Sequence, residues 1–301
     1  MAGLDEEALE KYRFSGRILR ETRQVMKDFV KEDMLVIEIC EKAEGFIREK
    51  GGSPAFPCNV SINEVAAHYT SPPEDKRRIP KGSIVKLDMG VQVDGYVTDT
   101  AVTISFRDEY DNLVDTVEQA LGQVIETIHP GMKTSEIGSM VERSIKARGF
   151  KPISNLTGHD VGRYIIHAGT SIPNVSTVSF SKLQLGKVYA IEPFVTLSEA
   201  IGRVINGDEV TIFRLRKHKS MKNPYSKQLL KEIKSSFRTL PFAERWVHNR
   251  IPKEHYREAF RNLLTSKVLM GYPTFVEASG KPVAQAEHSV LMVKDGCEVL
   301  T

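Results

Sequence analysis

Two aspartates in one predicted hairpin constrain the fold of this chain more than any other feature. The stretch from Lys86 to Val102 reads KLDMGVQVDGYVTDTAV, and its residues alternate like those of β-strands on either side of Asp94-Gly95. Asp-Gly between two such runs indicates a two-residue hairpin turn. That turn predicts the cross-strand pairs Val93 with Tyr96, Asp88 with Ala101, and Gly90 with Asp99.

Asp88 and Asp99 then point to the same face of the hairpin, because directly opposed residues share a face and so do residues two apart on one strand. As diagonal neighbours they lie roughly 7 to 8 Å apart. Two carboxylates aimed at one place repel each other unless a cation or a shared proton lies between them. An alternative is that this face is exposed to solvent at the edge of a sheet, since Val85, Leu87 and Met89 make only the other face apolar.

Composition and cysteine usage indicate a globular protein of the cytoplasm. The 301 residues are 41% hydrophobic and 27% charged, which suffices for one large domain or two ordinary ones. The N-terminal MAGLDEEALEKYRF lacks the features of a secretory signal, and no apolar stretch approaches the ~20 residues of a membrane span. The three cysteines, Cys40, Cys58 and Cys297, are odd in number and share no metal-ligand spacing, so we expect neither a disulfide framework nor structural zinc. Cys58 receives no role.

The net charge of +3 conceals a basic segment from Phe213 to Met270, with fifteen Lys or Arg, four Glu and no Asp. Its local balance of 15 − 4 = +11 leaves −8 for the rest of the chain. Three short helices are predicted in it, at 226–237, 242–249 and 253–266, and three helices followed by a hairpin are typical of a winged helix. Strand-like sequence resumes afterwards, so we interpret 213–270 as a winged-helix-like subdomain inserted into a catalytic domain of 1–212 plus 271–301.

The first half of the chain contains a weak internal repeat. Helices are predicted at 5–31 and 35–50 before the hairpin, and again at 114–128 and 134–148. An offset of 98 positions aligns Met34 with Met132, Glu38 with Glu136, Ile39 with Ile137, Glu44 with Glu142, Ile47 with Ile145, Lys50 with Arg148, Gly51 with Gly149 and Pro54 with Pro152. One further residue of offset pairs His68 with His167. Two amphipathic helices can match by chance, but the shared glycine and proline favour a duplication with two histidines flanking a pseudo-two-fold site.

Three more polar residues interrupt apolar, strand-like sequence: His159 after a short strand, Glu192 within 188–195, and Glu287 within KPVAQAEHSVLMVKDG. A buried carboxylate is costly unless it is paired or bound to metal. Glu192 could instead pair with Arg203. Taken with Asp88 and Asp99, these residues form the ligand set of a pair of divalent ions.

The contexts of these residues resemble those of the methionine aminopeptidase branch of the creatinase-like, or pita-bread, metallopeptidases. The similar stretches are AFPCNVSINEVAAHYTSP, KLDMGVQVDGYVTDTAVT, NLTGHDVGRYIIHAGTSIPN, VYAIEPF and AQAEHSVL, between Pro54 and Val293. The resemblance implies an α+β pita-bread fold. The interval of about 95 residues between Glu192 and Glu287 is similar to that of the type II enzymes, and the absence of a long N-terminal extension is typical of archaeal members.

This resemblance implies a centre of two divalent ions, with cobalt, manganese, iron and zinc all acceptable. Asp88 would bind one ion, Asp99 and Glu287 would bridge both, and His159 with Glu192 would complete the other. A water or hydroxide between the ions would attack the carbonyl of the first peptide bond, and Glu192 would carry the proton. The substrate amino group would be held at the metals.

The resemblance also assigns residues around the substrate. His68 and His167 would lie on opposite sides of it, one near the scissile amide and one donating a hydrogen bond to the developing oxyanion. The methionine pocket would comprise Phe56, Ile166, His167 and Tyr272, whose walls suit a thioether. A purely structural role for His68, Phe56 and Tyr272 is the alternative.

The implied activity is removal of the N-terminal initiator methionine from nascent proteins when the next residue is small. A proline-directed peptidase of the same fold is the first alternative, although about 85 residues before Asp88 leave too little room for the large N-terminal domain such enzymes usually carry. A non-catalytic relative that binds nucleic acid is the second. Contact of 213–270 with the ribosome is a further hypothesis. The alternative is a charged face exposed to solvent, which is what runs of charge usually form. We expect no DNA partner, no membrane contact and a monomer.

Overall fold

The structure is a computed structural model that describes residues 5–217 and 219–301. Residues 1–4 of the predicted catalytic domain and residue 218 of the predicted insertion lie outside the described residues. The helices are α1 Glu6–Phe29, α2 Val36–Glu49, α3 Asp111–Thr127, α4 Thr134–Ala147, α5 Pro224–Phe237 and α6 Lys253–Thr265. The strands are β1 Ser53–Ile62, β2 Val65–Ala67, β3 Ile84–Val93, β4 Tyr96–Ser105, β5 Lys151–Pro152, β6 Thr157–Asp160, β7 Ser171–Pro173, β8 Val188–Ile191, β9 Phe194–Thr196, β10 Val204–Leu215, β11 Phe242–Ala243, β12 Leu269–Glu277, β13 Val283–Gln285, β14 Glu287–Val293 and β15 Gly296–Val299.

The aspartate hairpin forms with the predicted register. Strands β3 and β4 pair through Val93 with Tyr96, Asp88 with Ala101, and Gly90 with Asp99. The turn residues Asp94 and Gly95 both have positive φ, 50° and 89°, as a tight hairpin turn requires. Strand β1 lies beside β3 and β14 lies beside β4 in an eight-stranded sheet ordered β1-β3-β4-β14-β8-β6-β7, with β15 on β14. The hairpin is therefore central, and the alternative of a solvent-exposed edge is wrong.

Alternation along β3 separates an apolar face from a polar one. Leu87 and Met89 are fully buried in a core with residues of α1 and α2, while α3 and α4 bury their apolar faces with residues of β8 and β14 in a second core. The four helices thus cover one face of the sheet, and Asp88 points to the other face.

The internal repeat is visible in the helix boundaries. Helix α4 begins and ends 98 residues after α2, and β5 begins 98 residues after β1. Both helices are followed by a glycine in the left-handed region, Gly51 with φ 89° and Gly149 with φ 82°, which terminates a helix without a Cβ penalty. Equivalent boundaries and equivalent terminators support the predicted duplication.

The segment 213–270 differs from its prediction in one helix. Helices α5 and α6 form as predicted, but 242–249 contains the short strand β11 and a 3₁₀ turn, Glu244–Trp246. Pro241 precedes this region, and β11 pairs with β10, so pairing with a neighbouring strand decides its structure over helical periodicity. The apolar core around α5 and α6 is drawn entirely from residues between Phe213 and Leu269. This self-contained core supports the division of the chain at 212/213 and 270/271, which we propose.

Candidate metal centre and substrate cavity

Glu192 and Glu287 lie where two paired strands break together. The predicted strand 188–195 is two strands, because β8 ends at Ile191 and β9 starts after Pro193 in a different, three-stranded sheet. Proline cannot donate a ladder hydrogen bond. Across from it, Ala286 separates β13 from β14 and its N–H donates to Pro193 O at 3.3 Å. Glu192 thus lies just after β8 and Glu287 is the first residue of β14, where it pairs with Ala101 of the aspartate hairpin.

The five predicted ligands line one cavity, namely Asp88, Asp99, His159, Glu192 and Glu287. Ligand atoms of Asp99, His159 and Glu287 lie within 4.8 Å of one another, a spacing that could hold a metal ion. His159 Nε2 is 3.8 Å from Asp99 Oδ2 and 3.5 Å from Glu192 Oε1. The alternative pairing of Glu192 with Arg203 does not occur among the ion pairs of the described residues.

The carboxylates have the signature of a cation site. In residues 5–217 and 219–301, Asp88 Oδ1, Asp99 Oδ1 and Glu287 Oε1 are buried without a hydrogen-bond partner. Buried acceptors of this kind are normally satisfied, and the ion pairs found in those ranges bring no Lys or Arg to the four acids. The residues therefore fit divalent cations, which carboxylates and one imidazole bind readily.

Burial opposes ionisation of the four carboxyl groups of this region. Desolvation raises the pKa of Asp88 to about 7. Burial, followed by the charge of Asp88, raises the pKa of Asp99 well above its ordinary value, and the same causes raise the pKa of Glu192. The pKa of Glu287 is raised by burial and by the neighbouring acids. A bound cation would stabilise the ionised carboxylates against both the burial and the mutual repulsion that raise these pKa values.

His159 is oriented as a ligand. Its Nδ1 lies 3.3 Å from Asp160 O, and a hydrogen bond donated there leaves Nε2 as a free acceptor toward the carboxylates. Such a backbone partner is typical of metal-binding histidines because it fixes the tautomer. Burial lowers the pKa of His159 to about 3, so the ring is neutral and able to coordinate.

His68 and His167 line the same cavity, as the repeat predicted. His68 follows β2 with φ 68°, a left-handed conformation that is uncommon for a non-glycine residue and often marks a functional site. Its Nδ1 lies 3.3 Å from Pro273 O, and its ring is 4.5 Å from that of Phe275. The His167 ring centroid is 4.2 Å from that of His159. Burial lowers the pKa of His68 to about 4 and also lowers that of His167.

The cavity has a volume of about 350 Å³, and besides the carboxylates and the histidines its lining contains a group of apolar side chains. The predicted pocket residues Phe56, Ile166 and Tyr272 all line it. Phe56 lies directly over Gly90 of β3, where an added Cβ would come within 2.2 Å of its ring, so only glycine at that position leaves room for it. The further apolar lining is Ala67, Leu156, Phe194, Ile212, Pro241 and Phe275.

Sequence reasoning missed the residues that hold the ligands in place. Asn174 Nδ2 donates to Leu156 O at 3.0 Å and to Glu192 O at 3.1 Å. Ser289 Oγ accepts from Asp99 N at 2.7 Å, and Thr100 Oγ1 donates to Glu287 O at 2.7 Å. Small polar side chains that bond to backbone atoms are common everywhere, so their spacing in the sequence carries no signal.

The fold and the carboxylate centre together define a metallopeptidase. The model of metallopeptidase family M24 matches residues 10–213, and the chain belongs to that family. A methionine aminopeptidase of Methanothermobacter thermautotrophicus is 39% identical over 296 residues, covering 97% of this chain and 98% of the relative. Within the family the chain therefore belongs to the methionine aminopeptidases, and the family match ends where the predicted insertion begins.

Solved structures share the fold at low identity. A methionine aminopeptidase of Thermotoga maritima has a TM-score of 0.72 and 20% identity, covering 100% of this chain and 99% of that one. A thermophilic Arx1 has a TM-score of 0.84 and 18% identity, covering 99% of this chain and 91% of that one. They confirm the α+β pita-bread fold. No helix in residues 5–217 and 219–301 is long and apolar enough to cross a membrane.

Proposed function

We propose that this protein removes the N-terminal methionine from nascent polypeptides when the following residue is small. The observation that carries the proposal is a group of carboxylates with buried, unpartnered oxygens in a cavity that is also lined by a set of apolar side chains. The carboxylates suit divalent cations, and the apolar walls suit an unbranched thioether side chain. An N-terminal methionine presents both features, a side chain for the walls and a peptide carbonyl for the centre.

We assign the metal ligands as Asp88, Asp99, His159, Glu192 and Glu287. Asp99 and Glu287 belong to the tight cluster with His159 and would be shared by two ions, while Asp88 is not part of that cluster and would bind one. Two divalent ions held there would polarise the scissile carbonyl and activate a water molecule for attack. Glu192, whose Oε1 lies 3.5 Å from His159 Nε2, would take up the proton of that water.

The hydrogen bond of His68 favours one division of roles between the two histidines. If Nδ1–H donates to Pro273 O, Nε2 carries no proton and is an acceptor. His68 would then accept from the N–H of the scissile amide. His167, also neutral, is left to donate to the developing oxyanion. Burial lowers the pKa of both His68 and His167, which keeps both rings uncharged near neutral pH.

Peptide release separates this function from its nearest alternative. Purified protein is incubated with cobalt, manganese, iron or zinc and with Met-Ala-Ser or an Ala-Pro peptide, and released amino acid is measured. We expect release of methionine with kcat/KM at least about 100-fold above that for the proline substrate, since the cavity has no feature that requires an imino acid. Preference for Ala-Pro identifies a proline-directed peptidase. Absence of release with every metal identifies a non-catalytic relative.

The partner of the basic insertion is a second part of the proposal. Lys219, Lys227, Lys231 and Lys234 line one groove along α5, on a segment with an excess of eleven positive charges. We propose that this surface contacts ribosomal RNA and brings a monomeric, cytoplasmic enzyme to emerging chains.

Charge neutralisation tests the ribosome contact without touching the cavity. The triple substitution Lys219→Gln, Lys227→Gln and Lys231→Gln should abolish co-sedimentation with archaeal ribosomes at low salt and leave Met-Ala-Ser hydrolysis unchanged. A matched control replaces three exposed lysines of the catalytic domain, Lys42, Lys76 and Lys81, by glutamine. Equal co-sedimentation of the two triple variants would show that the α5 surface has no such role.

A further inference from the structure

Asn59 is the neighbour of Asp88 in the sheet. Strand β1 pairs with β3 so that Asn59 lies directly opposite Asp88, and the register shifts between Phe56 and Asn59. An irregularity of this kind re-aims side chains beside active sites. Here it lets both Phe56 and Asn59 line the cavity, one at the apolar wall and one at the carboxylates.

Only one end of the Asn59 side chain has a partner. Its Nδ2 donates to Pro57 O at 3.0 Å, and because a carbonyl cannot donate, this bond fixes which end carries the oxygen. Asn59 is 3% exposed, and Oδ1 is buried without a hydrogen-bond partner in the described parts of the chain. An unmade hydrogen bond at a buried acceptor is costly, so this atom is expected to meet a donor when the cavity is occupied.

We propose that Asn59 Oδ1 accepts a hydrogen bond from the free α-amino group of the substrate. This inference rests on the proposed function. In an N-terminal methionine the amino group, the side chain and the scissile carbonyl are all attached to one Cα, so the site of the amine adjoins both the apolar wall and the carboxylates. Asn59 meets that requirement, because it lies directly opposite Asp88 on the strand that also carries Phe56. An amide oxygen accepts from an amine without adding a further negative charge beside the four acids. Asn59 is therefore a residue that selects a free N-terminus over an internal peptide segment.

A pair of inhibitors isolates this hydrogen bond. Methionine hydroxamate and its des-amino analogue, 4-(methylthio)butanohydroxamic acid, share the thioether and the metal-binding group and differ only in the α-amino group. Their inhibition constants are measured against Met-Ala-Ser hydrolysis. Asn59→Leu should weaken methionine hydroxamate about tenfold, the value of one hydrogen bond to an amino group, and change the des-amino inhibitor less than about twofold. Asn59→Asp keeps an acceptor oxygen and should retain the wild-type preference for the amine.

Asn155 provides a matched control from the same cavity. Both ends of its side chain are already used, because Nδ2 donates to Val204 O and Oδ1 accepts from Val204 N, each at 2.8 Å. Asn155→Leu should change both inhibition constants by the same factor. Metal content and thermal unfolding of each variant are measured alongside.

The outcomes separate this inference from the function on which it rests. If wild-type protein neither cleaves Met-Ala-Ser nor binds methionine hydroxamate, the proposed function fails. If wild type does both and Asn59→Leu weakens the two hydroxamates equally, Oδ1 meets water and the inference is overturned. A fall in bound metal in Asn59→Leu would make Asn59 a metal ligand and would overturn it as well.

Discussion

Two buried acidic regions of this protein behave in opposite ways. Glu44 of α2 is 2% exposed and is surrounded by donors: the Arg245 guanidinium, Trp246 Nε1 at 2.7 Å and Cys58 N at 3.1 Å. Of the acids in the cavity, Asp99 and Glu287 are buried and Asp88 and Glu192 are partly buried, and the ion pairs of the described residues bring them only the neutral ring of His159. One region is complete within the chain, and the other requires something from outside it.

The complete region joins the inserted segment to the catalytic half. Arg245 also donates to Thr70 Oγ1 and Ser71 O, each at 2.8 Å, and Thr70 lies two residues after His68. The basic insertion is therefore fixed to the loop that carries a predicted catalytic histidine. The comparison teaches that buried charge alone does not identify a functional site. A functional site is identified by buried charge that has no compensating partner among the described residues.

Loss of a bridging metal ligand should have the largest effect on metal content and activity. If two ions bind as we propose, Asp99→Asn should reduce bound metal from two ions toward none and lower kcat/KM by roughly 10³-fold or more, because metal ions in such a centre contribute several kcal/mol to the transition state. Asp88→Asn should remove mainly one ion. Metal per protein is measured by atomic emission. Equal loss of both ions in the two variants would contradict the assignment of Asp99 as shared and Asp88 as terminal.

Removing one acid from each region should change stability with opposite signs. In metal-free protein, Glu44→Gln should lower the free energy of unfolding by about 3 kcal/mol, since it leaves the Arg245 charge buried without its counterion. Glu287→Gln should raise it by about 1 kcal/mol, since it relieves repulsion among the cavity acids. Urea unfolding of chelator-treated protein measures both. A loss of stability in Glu287→Gln would show that the cavity acids are already compensated.

A further expected effect is a pH dependence of the metal-free protein. The pKa of Asp88 is raised from 3.8 to about 7, so between pH 4 and 7 the unfolded chain releases a proton that the folded chain retains. The contribution of Asp88 to the free energy of unfolding therefore falls by about 1 kcal/mol per pH unit over that window. Asp88→Asn should gain stability relative to wild type from pH 4 to 7 and no further above it. Buried histidines titrate in both proteins and cancel in the difference.

Saturating divalent metal serves as the control for that pH series. Metal binding requires ionised carboxylates, so metal affinity and the stability of the loaded wild type should rise with pH in the same window. A wild-type advantage that declines with pH even in the presence of metal would show that Asp88 does not bind a cation.

Local patterns in the sequence were sufficient for the hairpin, the helices of the repeat and the residue types of the centre. Asp-Gly turn chemistry and strand alternation determine which face Asp88 and Asp99 share, whatever the rest of the chain does. The predicted helix at 242–249 was wrong because pairing of Phe242 and Ala243 with β10 outweighs a helical period. The strand predicted across Glu192 was interrupted because Pro193 cannot continue the ladder.

The sequence by itself determined that five ligand-type residues interrupt apolar strands, and that two of them share a face, because these are properties of neighbouring residues. Only the tertiary structure decided that all five meet at one cavity, and that Arg245 compensates Glu44 from 201 residues away. It also decided that Asn59 lies beside Asp88 with an unpaired oxygen. Strand order and burial are set by packing across the whole chain, and no local pattern contains them.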